Sequence, residues 1–220
     1  MLDLQRSNTA MPHWRIYSSI FILASALAGI VYLFWSQQLQ YLLPTPAPAG
    51  YQPVAKEVSL SELPGSLNKV DRPYLLLHFF NPDCPCSRFN LKHLRQLHHE
   101  FSGKLNITLV IPYWADSAKA IQMADFAKYL YVDTNLSLSK KCGVYSTPQA
   151  VLMGPEGKSL YIGNNNTSRY CGNKETEFVR LALESAINGQ KTTEIPGAPA
   201  YGCPFYSCEP SSSHSILSIL

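Results

Sequence analysis

The sequence predicts an α/β domain, a three-layer sandwich with a central mixed sheet, preceded by one transmembrane helix. Three observations predict it. Short apolar runs alternate with amphipathic stretches in the order β-α-β-α and then β-β-α, which fits a sheet covered by helices on both faces. Ile16 to Trp35 is an uncharged apolar run long enough to cross a bilayer core as a helix. Two cysteines, Cys84 and Cys86, stand where an apolar strand gives way to a helix start. The 220 residues suffice for one domain of ordinary size plus extensions.

Along the chain, residues 1–15 read as a cytoplasmic N-terminus and 16–35 as an uncleaved anchor, the competing reading being a cleaved signal peptide, whose apolar core is usually shorter. Tyr17, Tyr32 and Trp35 sit near its ends, where interfacial aromatics are expected. Arg6 and Arg15 precede the run, and no Lys or Arg follows it until Lys56. The positive-inside rule therefore places the remainder outside the membrane, in the periplasm if the source is bacterial. Residues 36–55 carry Pro44, Pro46 and Pro48 and read as an extended tether. The domain is expected over 56–208, with a tail at 209–220.

Within the domain, Ser59–Leu63 suggests a short helix. Pro73–Phe80 is the first core strand, almost wholly apolar. A helix begins at Asp83 or Cys84, with Phe89, Leu91, Leu94, Leu97 and Phe101 near helical spacing, and Ser102-Gly103 ends it. Leu105–Ile111 is the next strand. Asp116–Lys128 is a helix capped by Asp116 or Ser117. Tyr129–Val132 is a short strand and Ser137–Cys142 a helical turn. Ala150–Met153 and Lys158–Ile162 form a hairpin across the turn Gly154-Pro155-Glu156-Gly157. Glu175–Asn188 is an amphipathic helix ended by Gly189.

The chemistry lies in the cysteines. Pro85 has no N–H to lose and a fixed φ suited to the first helical position, which makes Cys84 the cap residue. The unsatisfied N–H groups and dipole of a helix start favour a thiolate. Six cysteines fit an exported protein or a redox site equally well. Net charge is +3 with 15% charged residues and no basic run, which excludes an electrostatic case for nucleic acid.

Cysteines after the first core strand, Thr147-Pro148 before a hairpin, and a last helix together resemble the thioredoxin superfamily. Asn81-Pro82-Asp83-Cys84-Pro85-Cys86 resembles its redoxin and peroxiredoxin-like branch. The resemblance implies a thioredoxin-like fold and thiol–disulfide exchange without a cofactor. Cys84 matches the attacking cysteine, Cys86 the resolving one, and Thr147-Pro148 the cis-proline turn that offers backbone to a substrate. The family norm is two intervening residues. A ring closed around Pro85 alone is tighter and implies a strained, oxidising disulfide.

Other readings compete. Cys84 and Cys86 with His78 or His93 could bind copper, as thioredoxin-like copper chaperones do, although their cysteines are more widely spaced. His93, His98 and His99 read as solvated helix residues, so no metal ligand is assigned. Thiol peroxidases carry Thr or Ser where this chain has Asn81, and Arg169 is the candidate guanidinium. Cys142 is expected to pack against the sheet. Cys203 and Cys208 suggest a local structural or relay disulfide, and Cys171 is unassigned. The expected partners are exported thiol or disulfide proteins and a redox partner.

Overall fold

In the computed structural model the described residues are 13–37, 39, 43–51, 57–67, 71–167, 174–190 and 199–206. The chain divides into two units at Gln40/Tyr41. The first contains helix α1, His13–Gln37, which buries no residue and has a mean hydropathy of 2.0 over its most apolar stretch. It is long and apolar enough to cross a membrane.

The second unit is built on a five-stranded sheet. Its strands are β1 (Tyr74–Phe79), β2 (Leu105–Pro112), β3 (Tyr129–Asp133), β5 (Gln149–Met153) and β6 (Ser159–Asn164), in the spatial order β3-β2-β1-β5-β6. β1 pairs parallel with β2, and β2 with β3, while β5 runs antiparallel to both β1 and β6. β1 is thus central, and every one of its residues is buried. That explains its apolar run, since a strand covered on both faces has no polar side to show.

One face of the sheet carries α2 (Pro85–Glu100) and α5 (Phe178–Ile187). Leu94 and Leu97 of α2 and Val179, Ala182 and Leu183 of α5 close over Leu76, Leu105, Ile107 and Leu152. Fully burying a leucine side chain contributes about 2 kcal/mol, so this interface fixes α2 firmly. α3 (Ser117–Met123) adds Ala120 to a neighbouring cluster with Phe80, Leu91, Leu109 and Ile111. The opposite face packs Leu75, Leu77, Phe79, Val110 and Val151 against Leu138 and Cys142, the latter at the end of α4 (Ser137–Lys141). The result is the expected thioredoxin-like three-layer sandwich with a mixed sheet.

Several boundaries differ from the sequence expectation. α3 stops at Met123 rather than Lys128, because a turn from Ala124 to Ala127 carries Phe126 and Ala127 against the core. α5 begins at Phe178 rather than Glu175. A 3-10 turn, Lys174–Thr176, precedes it, and Glu177 turns inward to Arg180 and His93. The Ser59–Leu63 helix is a 3-10 turn, Leu60–Glu62. Two short strands were not expected: β4 (Ser146–Thr147) and β7 (Cys203–Pro204), which pair antiparallel.

Residues 43–51, expected as part of a free tether, lie on the domain. Pro44 bridges Tyr201, and the Thr45 N–H donates to Ala200 O at 2.7 Å. The Tyr51 hydroxyl donates to Gly143 O at 3.0 Å, and its ring packs edge-on against Tyr145. Backbone pairing and aromatic packing hold this proline-containing segment against the domain.

Candidate functional site

The site forms where β1 ends. The chain turns at Asn81, whose Oδ1 accepts from Asp83 N at 3.0 Å while its carbonyl accepts from Cys84 N at 3.0 Å. Asn81 is thereby used in shaping the turn. α2 follows, with Cys84 as its cap residue and Pro85 in its first turn. The Cys84 carbonyl accepts from Arg88 N, closing the helix behind it. Phe80, Leu91 and Leu94 hold the start of α2 to the sheet.

Facing Cys84 is the β4–β5 corner. Thr147-Pro148 is cis, as the sequence led us to expect. Gln149 Oε1 accepts from both Tyr145 N and Ser146 N, which ties the corner together. The Thr147 carbonyl oxygen lies 3.7 Å from Cys84 Sγ. Cys84, Thr147 and Pro148 are therefore brought together at one place.

The cysteine pairing differs from expectation. Cys84 is bonded to Cys203, with Cα atoms 5.9 Å apart. Cys86 takes no part in that bond and is fully buried. Side chains two apart on a helix do not face one another, so Cys84 looks out toward the β4–β5 corner while Cys86 packs beneath. The tight ring around Pro85 is not formed. Nor does Cys203 pair with Cys208, which lies outside the described residues together with Cys171 and Arg169.

Cys203 arrives on β7, opposite Thr147, and Pro204 lies opposite Ser146. Gly202 precedes it with φ of 100°. A Cβ there would stand 2.0 Å from Thr147 O and 3.2 Å from Cys86 Cβ. Only a glycine permits so close an approach. Tyr201 is buried beside Cys84 and Cys86, and Phe205 is buried edge-on against Phe79. This strand is the part of the site that sequence reasoning missed. Its signal was the alternation Tyr201, Cys203, Phe205 around a glycine, a period-2 pattern in an otherwise turn-rich tail.

Behind α2 lies a buried polar group. His78 Nδ1 accepts from Asn165 Nδ2 at 3.0 Å, and burial holds its imidazolium pKa down to about 3. His93, expected on a solvated face, is buried with Nδ1 3.2 Å from Glu177 Oε1. Burial pushes its pKa down, against the pull of Glu177. Arg180 bonds Glu177 at 2.5 Å and also Glu100. Asn165 thus takes one ring nitrogen of His78 and Glu177 faces one of His93, while Nε2 of each is buried without a hydrogen-bond partner among the described residues. Among the described residues no three His, Cys, Asp or Glu side chains are grouped to hold a metal ion.

The chain resembles several solved structures. A hypothetical protein from Sinorhizobium meliloti superposes with a TM-score of 0.57 at 16% identity, covering 76% of this chain and 100% of that one. An uncharacterized conserved protein from Geobacillus kaustophilus gives 0.52 at 17% identity, covering 64% and 79%. A thioredoxin-like protein from Aeropyrum pernix gives 0.40 at 19% identity, covering 56% and 81%. At these identities the likeness to the first two is one of fold. No curated protein matches the sequence. The family described as Domain of unknown function (DUF6436) matches residues 54–207, well over half of the chain, and the protein belongs to that family, on a thioredoxin-like fold.

Proposed function

We propose that this protein is a membrane-anchored thiol–disulfide oxidoreductase acting on exported proteins. One observation carries the reading: the cysteine at the start of α2 is engaged in a disulfide directly against the cis Thr147-Pro148 corner. A helix start lowers the cost of a thiolate, which makes Cys84 both a nucleophile and a good leaving group. Cys86, two residues on in the first turn of α2, is the second buried thiol beside it. The Thr147 carbonyl and Pro148 form the edge against which substrate backbone would lie.

In the oxidising direction a substrate dithiol gives up two electrons and two protons. The protein disulfide becomes two thiols, and the substrate gains a disulfide. A redox partner bearing a disulfide then accepts two electrons and two protons, leaves as two thiols, and so restores the protein disulfide. α1, with Arg15 in its first turn and Arg6 before it in the sequence, supports an N-inside anchor that holds the domain outside the membrane.

The test is insulin reduction by the full chain in detergent, alongside oxidation of a reduced model protein. Cys84→Ser is expected to abolish both, and undiminished activity would overturn the assignment. A reporter active only outside the membrane, fused after Leu220, checks the topology. Its silence, with activity of a cytoplasmic reporter at the same point, reverses it.

A further inference from the structure

We propose that Cys203 is the second reacting cysteine of this site, carried on an internal arm, residues 199–206, that occupies the place of an extended cysteine peptide of a substrate. The proposal rests on the oxidoreductase reading above and deepens it, since it assigns the exchange partner of Cys84 and the class of substrate.

The arm enters the site as a strand. Cys203 pairs with Thr147 across an antiparallel ladder, and its sulfur is bonded to Cys84. A strand added to an exposed edge, with its cysteine joined to the site cysteine, is the form a mixed disulfide with an extended substrate would take. Here the chain supplies that strand itself, from a sequence separation of 119 residues.

The arm is fitted on every side. Gly202 lies flat against Thr147 O and Cys86, where a Cβ has no room. The Phe205 N–H donates to Tyr145 O at 2.8 Å, and its ring fills the core beside Phe79. Thr45 Oγ1 donates to Gly202 O, and Asn164 Nδ2 donates to Pro199 O. These contacts specify what else could bind: an extended peptide with glycine before its cysteine and an aromatic residue two positions after it.

Exposure orders the chemistry. Cys84 is 1% exposed, whereas Cys203 is only half-buried. An incoming thiolate therefore meets Cys203 first. It bonds to Cys203 Sγ, the Cys84–Cys203 bond breaks, and Cys84 leaves as a thiolate at the start of α2. In the reductive direction the Cys84 thiolate attacks a substrate disulfide. One substrate sulfur leaves and takes a proton from water. The Cys203 thiolate then displaces the second sulfur from Cys84. Two electrons have passed to the substrate, and the arm is back in its groove.

The test uses the reduced full chain in detergent. The probe is the peptide Ala-Tyr-Gly-Cys-Pro-Phe, its cysteine carrying thionitrobenzoate through a disulfide. Attack by Cys84 should release coloured thionitrobenzoate and leave the peptide on Cys84. Cys203 should then release free peptide and leave a Cys84–Cys203 disulfide, mapped by mass spectrometry. In Cys203→Ser the adduct on Cys84 should live at least about tenfold longer, because the nearest thiol is gone. Gly202→Ala keeps the thiol but displaces the strand, and should also lengthen the adduct's life about tenfold. A Cys84–Cys86 disulfide as the wild-type product, or an unchanged adduct lifetime in both variants, overturns the proposal. With Cys203→Ser, a peptide bearing alanine before its cysteine should react about tenfold more slowly, and equal rates would overturn the substrate class. If the wild type releases thionitrobenzoate no faster than Cys84→Ser, the oxidoreductase reading fails first and this one with it.

Discussion

Cys84 and Cys142 are both buried, and each borders a helix, yet the fold treats them oppositely. Cys84 caps the start of α2, and Cys142 caps the end of α4, its N–H donating to Leu138 O. A helix start presents N–H groups and a positive dipole end, whereas a helix end presents carbonyls. Cys142 also sits among Leu138, Val144 and other apolar side chains. Burial pushes its thiol up to about 12, and the Asp133 carboxylate adds to the shift. Asp133 is itself held by Leu138 N and Ser139 N, so this charge is fixed in place. The difference teaches that burial by itself does not decide whether a cysteine reacts. At Cys142 burial is the larger cause of the raised thiol and the Asp133 charge the smaller, whereas at Cys84 the start of α2 favours the thiolate.

The largest test of that contrast is selective labelling. In the reduced chain at pH 8, a thiol of pKa about 12 is about one part in ten thousand thiolate, against roughly a quarter for an ordinary cysteine. Iodoacetamide should therefore modify Cys84 at least about a thousandfold faster than Cys142. Labelling of Cys142 should rise about tenfold per pH unit between pH 8 and 11, since only its deprotonated form reacts. Peptide mapping by mass spectrometry checks both, and comparable rates at pH 8 would break the comparison.

His78 sharpens the same point through stability. Its folded pKa of about 3, lowered first by burial and then by His93, lies well below that of an unfolded histidine. The unfolded chain thus takes up a proton that the folded chain refuses. The stability concerned is present above about pH 6.5 and is lost as the pH falls toward 3, by up to about 1.4 kcal/mol per unit. Cys142 acts in the other direction, with a folded pKa above the unfolded one, so its share is present below about pH 8.5 and lost as the pH rises. Urea midpoints at pH 7, 5 and 4 should fall steeply for the wild type. His78→Gln should flatten that fall, and parallel curves for the two would refute the role of burial.

What was legible in the sequence follows from the same forces. The β1–α2 junction could be read, because a local apolar run, a proline and a helical pattern specify it within a few turns of chain. The order of the core elements could be read for the same reason. The partner of Cys84 could not. Its position depends on a β4–β7 ladder that joins Thr147 to Cys203 and on Pro44 and Thr45 bridging Tyr201 and Ala200. Those contacts link segments far apart in sequence. The prolines of residues 44–48 signal extension equally for a free tether and for an edge segment. His93 misled for a different reason. Its place on α2 suggested a solvated position, whereas the structure buries it with Nδ1 3.2 Å from Glu177 Oε1, a side chain of a distant segment that no local pattern in α2 signals.

The smallest expected effect lies at the surface beside Cys84. Lys119 Nζ is 2.5 Å from Asp83 Oδ1, and both side chains are largely exposed. Solvent screens such a pair, so removing it should change stability by roughly 0–1 kcal/mol. Its influence on chemistry is more specific. Asp83 directly precedes Cys84, and its carboxylate opposes a thiolate there unless Lys119 compensates it. Lys119→Ala should slow alkylation of reduced Cys84 about twofold at low salt, and Asp83→Asn should speed it about twofold. Both differences should shrink at about 0.5 M salt, where the screening length is only a few ångströms. Opposite signs mark an effect of charge, superimposed on the much larger preference set by the start of α2. Changes of the same sign in both variants would instead mean that the pair acts by holding the Asn81–Cys84 turn in shape, and the electrostatic account of Cys84 would then rest on the helix start alone.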